Sequence, residues 1–154
     1  MNLHEANEHH LIFELSAGQK AIFERLLKQY PVSNNAFHKI SRTVEEVELE
    51  VEQEMLDEAL AETRAENRRR VGNFLREPGR FEPVDEHWHL KILPRQINWL
   101  LQVLNEIRVG FWHRLGCPTQ EAGPELTAEN TECFLFMELS AQFQMILLQS
   151  QSEV

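Results

Sequence analysis

Between residues 44 and 77 the chain holds no proline and one glycine, Gly72, while Val44, Val47, Val51 and Met55 recur at helical spacing. A stretch so poor in breakers, with an apolar period of three to four residues, is predicted to be one long helix. Its charges are segregated. Ten acidic residues from Glu45 to Glu66 come first and Arg68, Arg69, Arg70 and Arg76 come last, the order that complements a helix dipole. Six glycines and six prolines in 154 residues leave too little turn chemistry for an all-β fold. The expected fold is therefore all-α or mainly α: a single-domain bundle of about four to five helices over residues 1–154, with room for a short two-stranded ribbon from 10–15 and 87–92. A chain of this length buries roughly two thirds of its unfolded surface, and 42 % hydrophobic with 26 % charged residues is an ordinary globular balance.

The remaining helices follow from caps and breakers. Ser16 is suited to cap a helix carrying Ile22, Phe23, Leu26, Leu27 and Tyr30 up to Pro31. Ser33, Asn34 and Asn35 mark residues 31–43 as a loop, with one helical turn expected around Phe37 and Ile40. Pro78 and Gly79 end the long helix, and Trp88, Leu90 and Ile92 alternate with polar residues in the connector that follows. Pro94 opens the most apolar helix, which Gly116 closes. There Ile97, Leu100, Leu101, Leu104, Ile107, Phe111 and Leu115 form one face, and Trp99, Val103, Val109 and Trp112 cover much of the rest. Such a helix is central or lies at a subunit interface, which makes Trp99 and Trp112 candidate interface residues. The last helix is expected from near Thr127 or Asn130. It carries one stripe of Phe134, Met137, Ala141, Met145 and Leu148 and a second of Phe136, Leu139, Phe143, Ile146 and Leu147.

Composition narrows the setting. Cys117 and Cys133 are too few for a disulfide framework or a cysteine zinc site, and neither a leader-like start nor an apolar run of the ~20 residues needed to span a bilayer is present. A cytoplasmic chain is expected, with no membrane partner. The net charge of −10 repels phosphate backbones at long range, so nucleic acid is a disfavoured partner unless Arg68, Arg69 and Arg70 form a local basic patch.

Several constellations bear on chemistry. Glu46, Glu50, Glu54, Glu58, Glu62 and Glu66 wind by ~40° per step around a helix, a solvated spiral unless a basic partner reads it. On a straight helix this drift carries Glu58 and Glu62 toward the core side, where Arg108 or Arg114 could pair with them. Asn105, Arg108 and Arg114 sit among apolar residues of the central helix and, with Glu58 and Glu62, form a candidate buried polar or interaction cluster. The bland role for such arginines is architectural, holding carboxylates or helix ends. His87 and His89 share a face if the connector is extended, and Glu86 to His89 is a single Glu-x-x-His match; a di-iron bundle needs two. Residues 4–9 miss H-E-x-x-H by one position. Cys117 can reach His113 on the preceding turn, the minimum for an activated thiol. No phosphate loop, dinucleotide fingerprint or nucleophile elbow is present, so no catalytic residue, resident metal or cofactor is expected.

Trp99-Leu100, then Leu104-Asn105-Glu106-Ile107-Arg108, then Arg114-Leu115-Gly116 resembles the W-L-x-x-L-N-[DE]-[LI]-R…R-L-G core of an uncharacterised bacterial domain-of-unknown-function family. Trp112-His113 departs from the small residues such proteins carry there. The resemblance implies a small helical protein without an assigned catalytic site; some members are encoded near the adaptor of the Clp protease, which implies a regulatory or proteolysis-linked role. Together these readings point to a non-catalytic interaction or regulatory domain, acting on a protein partner or as a homodimer. The alternatives are a small metal-binding protein or enzyme, and a nucleic-acid-binding regulator.

Overall fold

A computed structural model describes residues 1–32, 46–119, 123 and 125–151, with side chains of 46–54 outside the description. The expected turn at Phe37 and Ile40 and the side chains of Glu46, Glu50 and Glu54 lie outside the described residues. The element order is β1 (Asn2–Ala6), β2 (Leu11–Leu15), α1 (Ala17–Leu27), α2 (Glu46–Arg76), β3 (Phe81–Val84), β4 (His87–Ile92), α3 (Pro94–Arg114) and α4 (Thr131–Ser150). The four strands form one antiparallel sheet in the order β1-β2-β4-β3. The fold is thus α+β, and the all-α bundle expected from the sequence is corrected. The expected pairing of 10–15 with 87–92 is present as β2 against β4, in the register Leu11↔Ile92 to Leu15↔Trp88, but each strand gains an outer neighbour.

The sheet has a dry face and an open one. Leu11, Phe13 and Leu15 of β2 alternate with Leu90 and Ile92 of β4 on the buried side, while Ile12, Glu14, His89 and Lys91 point the other way, as strand periodicity requires. Asn7 builds the β1–β2 turn, its side-chain oxygen accepting from the amides of His9 and His10 at 2.9 Å. A register shift between Leu3 and Glu5 leaves His4 as the extra residue of a bulge, and Pro83 sits opposite Trp88 in β3.

On the dry face lie the helices. Ser16 caps α1 in a reciprocal box: its Oγ accepts from the Gln19 amide at 3.2 Å, and Gln19 Oε1 accepts from the Ser16 amide at 3.0 Å. That start fixes Phe23, Leu26 and Leu27 in the core. α3 and α4 pack antiparallel: Phe111 stacks on Phe136 at 5.4 Å, and the Gln144 amide reaches the Leu101 carbonyl from the other direction. Phe136, Ser140, Phe143, Leu147 and Ser150 form the buried stripe of α4. Its two serines donate to carbonyls of their own helix, Phe136 and Leu147, at 2.7 Å, so small residues permit close approach with no polar atom stranded. Gly110 is required for a similar reason. A Cβ there would lie 2.7 Å from Val32 Cβ, where the chain leaving α1 crosses α3.

The C-terminal part of α2 docks on α3 through Val71, Phe74 and Trp99, and its end is tied to the sheet by Arg80, which is 3 % exposed. The Arg80 guanidinium donates to the carbonyls of Phe74 and Lys91 and to Glu77, and lies 4.0 Å over the Phe74 ring. Burial lowers its pKa, opposed by the Glu77 carboxylate. No helix among the described residues is long and apolar enough to cross a membrane.

Candidate functional site

One apolar stripe of α4 is partly open to solvent. Successive steps of three or four residues put Phe134, Met137, Ala141, Met145 and Leu148 on one side of that helix, away from its core stripe. Near the start of α4 this side faces the end of α3 across a groove of about 610 Å³, floored by Val109, Trp112, Phe134, Met137 and Ala141 with Arg108 and Glu138 at its rim. Farther along, Met145 and Leu148 are each 54 % exposed. Trp112 is fixed at the groove wall because its Nε1 donates to the Pro118 carbonyl at 3.0 Å, and the residue is 37 % exposed. Phe134, Met137 and Ala141 are half-buried, Met137 against the core, so the stripe is open chiefly at its far end.

The candidate polar cluster does not assemble. Asn105 and Arg108 are exposed and bond only to each other in this constellation, at 3.2 Å. Arg114 acts architecturally, donating to the Val32 carbonyl and lying 5.5 Å from the Phe111 ring centre. Glu58 and Glu62 are exposed rather than inward-facing. The cause is azimuth: Leu56, Leu60, Arg64, Asn67, Val71 and Phe74, spaced at a mean near 3.6, are the sheltered side of α2, and Met55 of the expected stripe is 66 % exposed. Of the two tryptophans, Trp112 remains accessible, whereas Trp99 is buried within this chain and so is removed from any interface.

Trp99 instead anchors a polar chain that sequence spacing did not reveal. Its Nε1 donates to Asn67 at 2.9 Å, Asn67 donates to the Tyr30 hydroxyl at 3.4 Å, and Tyr30 donates to Glu106 at 3.0 Å. Arg64 stands 3.9 Å from the same carboxylate. One relay thus links α2, the end of α1 and α3. Burial pushes the Tyr30 phenol up to about 12, with Asn67 opposing and Glu106 adding to the rise. Between about pH 10, where an unfolded tyrosine ionises, and about 12, the unfolded chain loses a proton that the folded one keeps. Stability is therefore intact below that window and falls through it as pH rises. Because Tyr30 is the sole tyrosine, phenolate absorbance should show the raised transition in the folded protein and an ordinary one in urea. A Tyr30→Phe variant should flatten the alkaline loss; equal loss in both proteins would refute this role.

The arginine run is partly occupied: Arg70 lies 4.4 Å over the Trp99 ring and borders a shallow cavity of about 390 Å³ with Asn73 and Arg76. The expected His113–Cys117 pair is present, with Sγ 3.3 Å from Nδ1, on an exposed turn. His87 and His89 do share the open face of the sheet, yet the convergence seen there is a different one, of His4, Glu14 and His89. No protein-family model, curated protein or solved structure matches the chain.

Proposed function

We propose that this chain is a non-catalytic interaction domain whose α4 stripe and adjoining α3 groove receive an amphipathic, basic helix of a partner protein. The observation that carries this reading is the stripe Phe134–Met137–Ala141–Met145–Leu148, apolar throughout, half-buried where it lines the groove and more than half exposed at Met145 and Leu148. Such a stripe matches the i, i+3, i+4, i+7 anchors of a helix laid into a groove, and its two methionines can repack around different side chains. Charge selects the occupant. With a net charge of −10 and Glu138 exposed at the groove, a basic helix is attracted and a second copy of this chain is repelled. The resemblance to a family some of whose members are encoded near the adaptor of the Clp protease fits a regulatory role of this kind, in which binding rather than turnover is the output.

The test is selection from a displayed library of amphipathic helices with varied flanking charge. Enriched sequences should be basic, and their affinity should fall at least tenfold in Met137→Glu and Met145→Glu, with Met55→Glu unchanged. Absence of enrichment, or binding indifferent to both α4 variants, would sink the proposal. Concentration-dependent dimerisation abolished by Met145→Glu would overturn it in favour of self-association.

A further inference from the structure

The open face of the sheet carries side chains with no part in the interaction stripe. Glu14 on β2 and His89 on β4 are directly opposed, and His4, the residue inserted in β1 between the Leu3↔Phe13 and Glu5↔Ile12 pairings, comes close to Glu14. The three come from three adjacent strands. β1 and β4 are separated by β2, so their backbones lie about 10 Å apart at the usual strand spacing. Nonetheless the ring centres of His4 and His89 are 4.7 Å apart. Both imidazoles therefore lean inward over β2, above the carboxylate of Glu14. One ligand atom from each of the three lies within 4.8 Å of the other two.

We infer that His4, Glu14 and His89 form a binding site for a divalent transition-metal ion of the zinc, cobalt or iron(II) class. Bonds of roughly 2.0–2.2 Å to imidazole nitrogen and carboxylate oxygen require ligand atoms somewhat closer than the spacing here, an adjustment within reach of side-chain rotation. Two neutral imidazoles with one carboxylate favour such ions over calcium or magnesium, which take oxygen ligands. Three ligands on an accessible face leave further coordination positions for water or an incoming group. Among the described residues none of the three side chains is held by a hydrogen bond or ion pair, although the charge of Glu14 is felt at the Met1 amino group. Glu82, opposite His89 on β3, leans instead toward Gly79, where an added Cβ would stand 3.3 Å from its Oε1. The neighbouring His10 is engaged with Glu5 at 3.3 Å and with Asn7, which makes it a suitable control.

Untagged full-length protein, freed of metal by chelation, would be titrated with Zn²⁺ by calorimetry and with Co²⁺ by visible absorption. The expected result is one ion per chain at micromolar protein, with a cobalt spectrum of mixed nitrogen and oxygen ligation. His4→Ala, Glu14→Gln and His89→Ala should each weaken binding at least tenfold, and His10→Ala and His87→Ala should not. These residues lie on the open face, so circular dichroism should be unchanged; Co²⁺-induced broadening of His4 and His89 resonances in wild-type protein provides a reading independent of any variant. Absence of stoichiometric binding, or binding that survives loss of both His4 and His89, overturns the inference.

Discussion

Phe23→Ala should remove about 3–5 kcal/mol of folding stability, the range for deleting a fully buried phenyl group. Phe23 is 0 % exposed and projects from the short helix α1 into the space between the sheet and the α3–α4 pair. There it meets Phe143 edge-on at 5.0 Å, a geometry that adds to the area it buries. Leu26 and Leu27 flank it from the same helix, so the cavity left by alanine has few neighbours free to collapse into it. Natural domains of this size are stable by roughly 5–15 kcal/mol, so the variant should unfold at markedly lower urea, with Phe23→Leu costing only about 1 kcal/mol. Urea titration followed by circular dichroism decides it. A loss under about 1 kcal/mol for the alanine variant would mean that α1 is peripheral to the core.

Arg80→Ala should be nearly as damaging, at about 3 kcal/mol, though it removes a charged residue. The guanidinium satisfies two backbone carbonyls, Phe74 and Lys91, that belong to different elements. Its deletion strands acceptors that cost about 1–3 kcal/mol each when buried without a donor and strips the cover from the Phe74 ring. Glu77, the acidic partner, is half exposed and can return to water, so the ion pair itself is a minor part of the loss. Arg80→Lys should recover only part, because an ammonium lacks the planar fork that reaches both carbonyls. Hydrogen exchange would show the effect first at residues 71–76, where α2 is clamped to β4. A variant within about 0.5 kcal/mol of wild type would rule out the clamp.

The sequence was most informative where local chemistry and apolar period agree. Pro94 and Gly116 bracket α3 to within a residue, Ser16 caps α1 as its position suggests, and the alternation at Trp88, Leu90 and Ile92 does mark a strand. What it concealed depends on pairing between distant segments. β1 offers only Leu3 and Ala6 to the core and β3 contains Pro83, so neither shows a strand-like apolar rhythm; each is specified by the partner strand beside it. For that reason a helical bundle was the natural expectation and an α+β fold the outcome. The glutamates misled differently: the inward placement of Glu58 and Glu62 assumed that Val44 to Met55 set the core side of α2, whereas the docking azimuth is set by Asn67, Val71 and Phe74 near the other end. The grouping of His4 with Glu14 and His89 could not be read at all, since it arises from strand order and one inserted residue.

The bulge at His4 and the proline in β3 also govern how this molecule behaves in a crowd. A sheet grows by offering a neighbour an unbroken ladder of amide and carbonyl groups. Here one margin is kinked out of register and the other lacks a donor at Pro83, so a fifth strand from another molecule would find little to zip against. Fibril-like stacking through either margin is thereby discouraged.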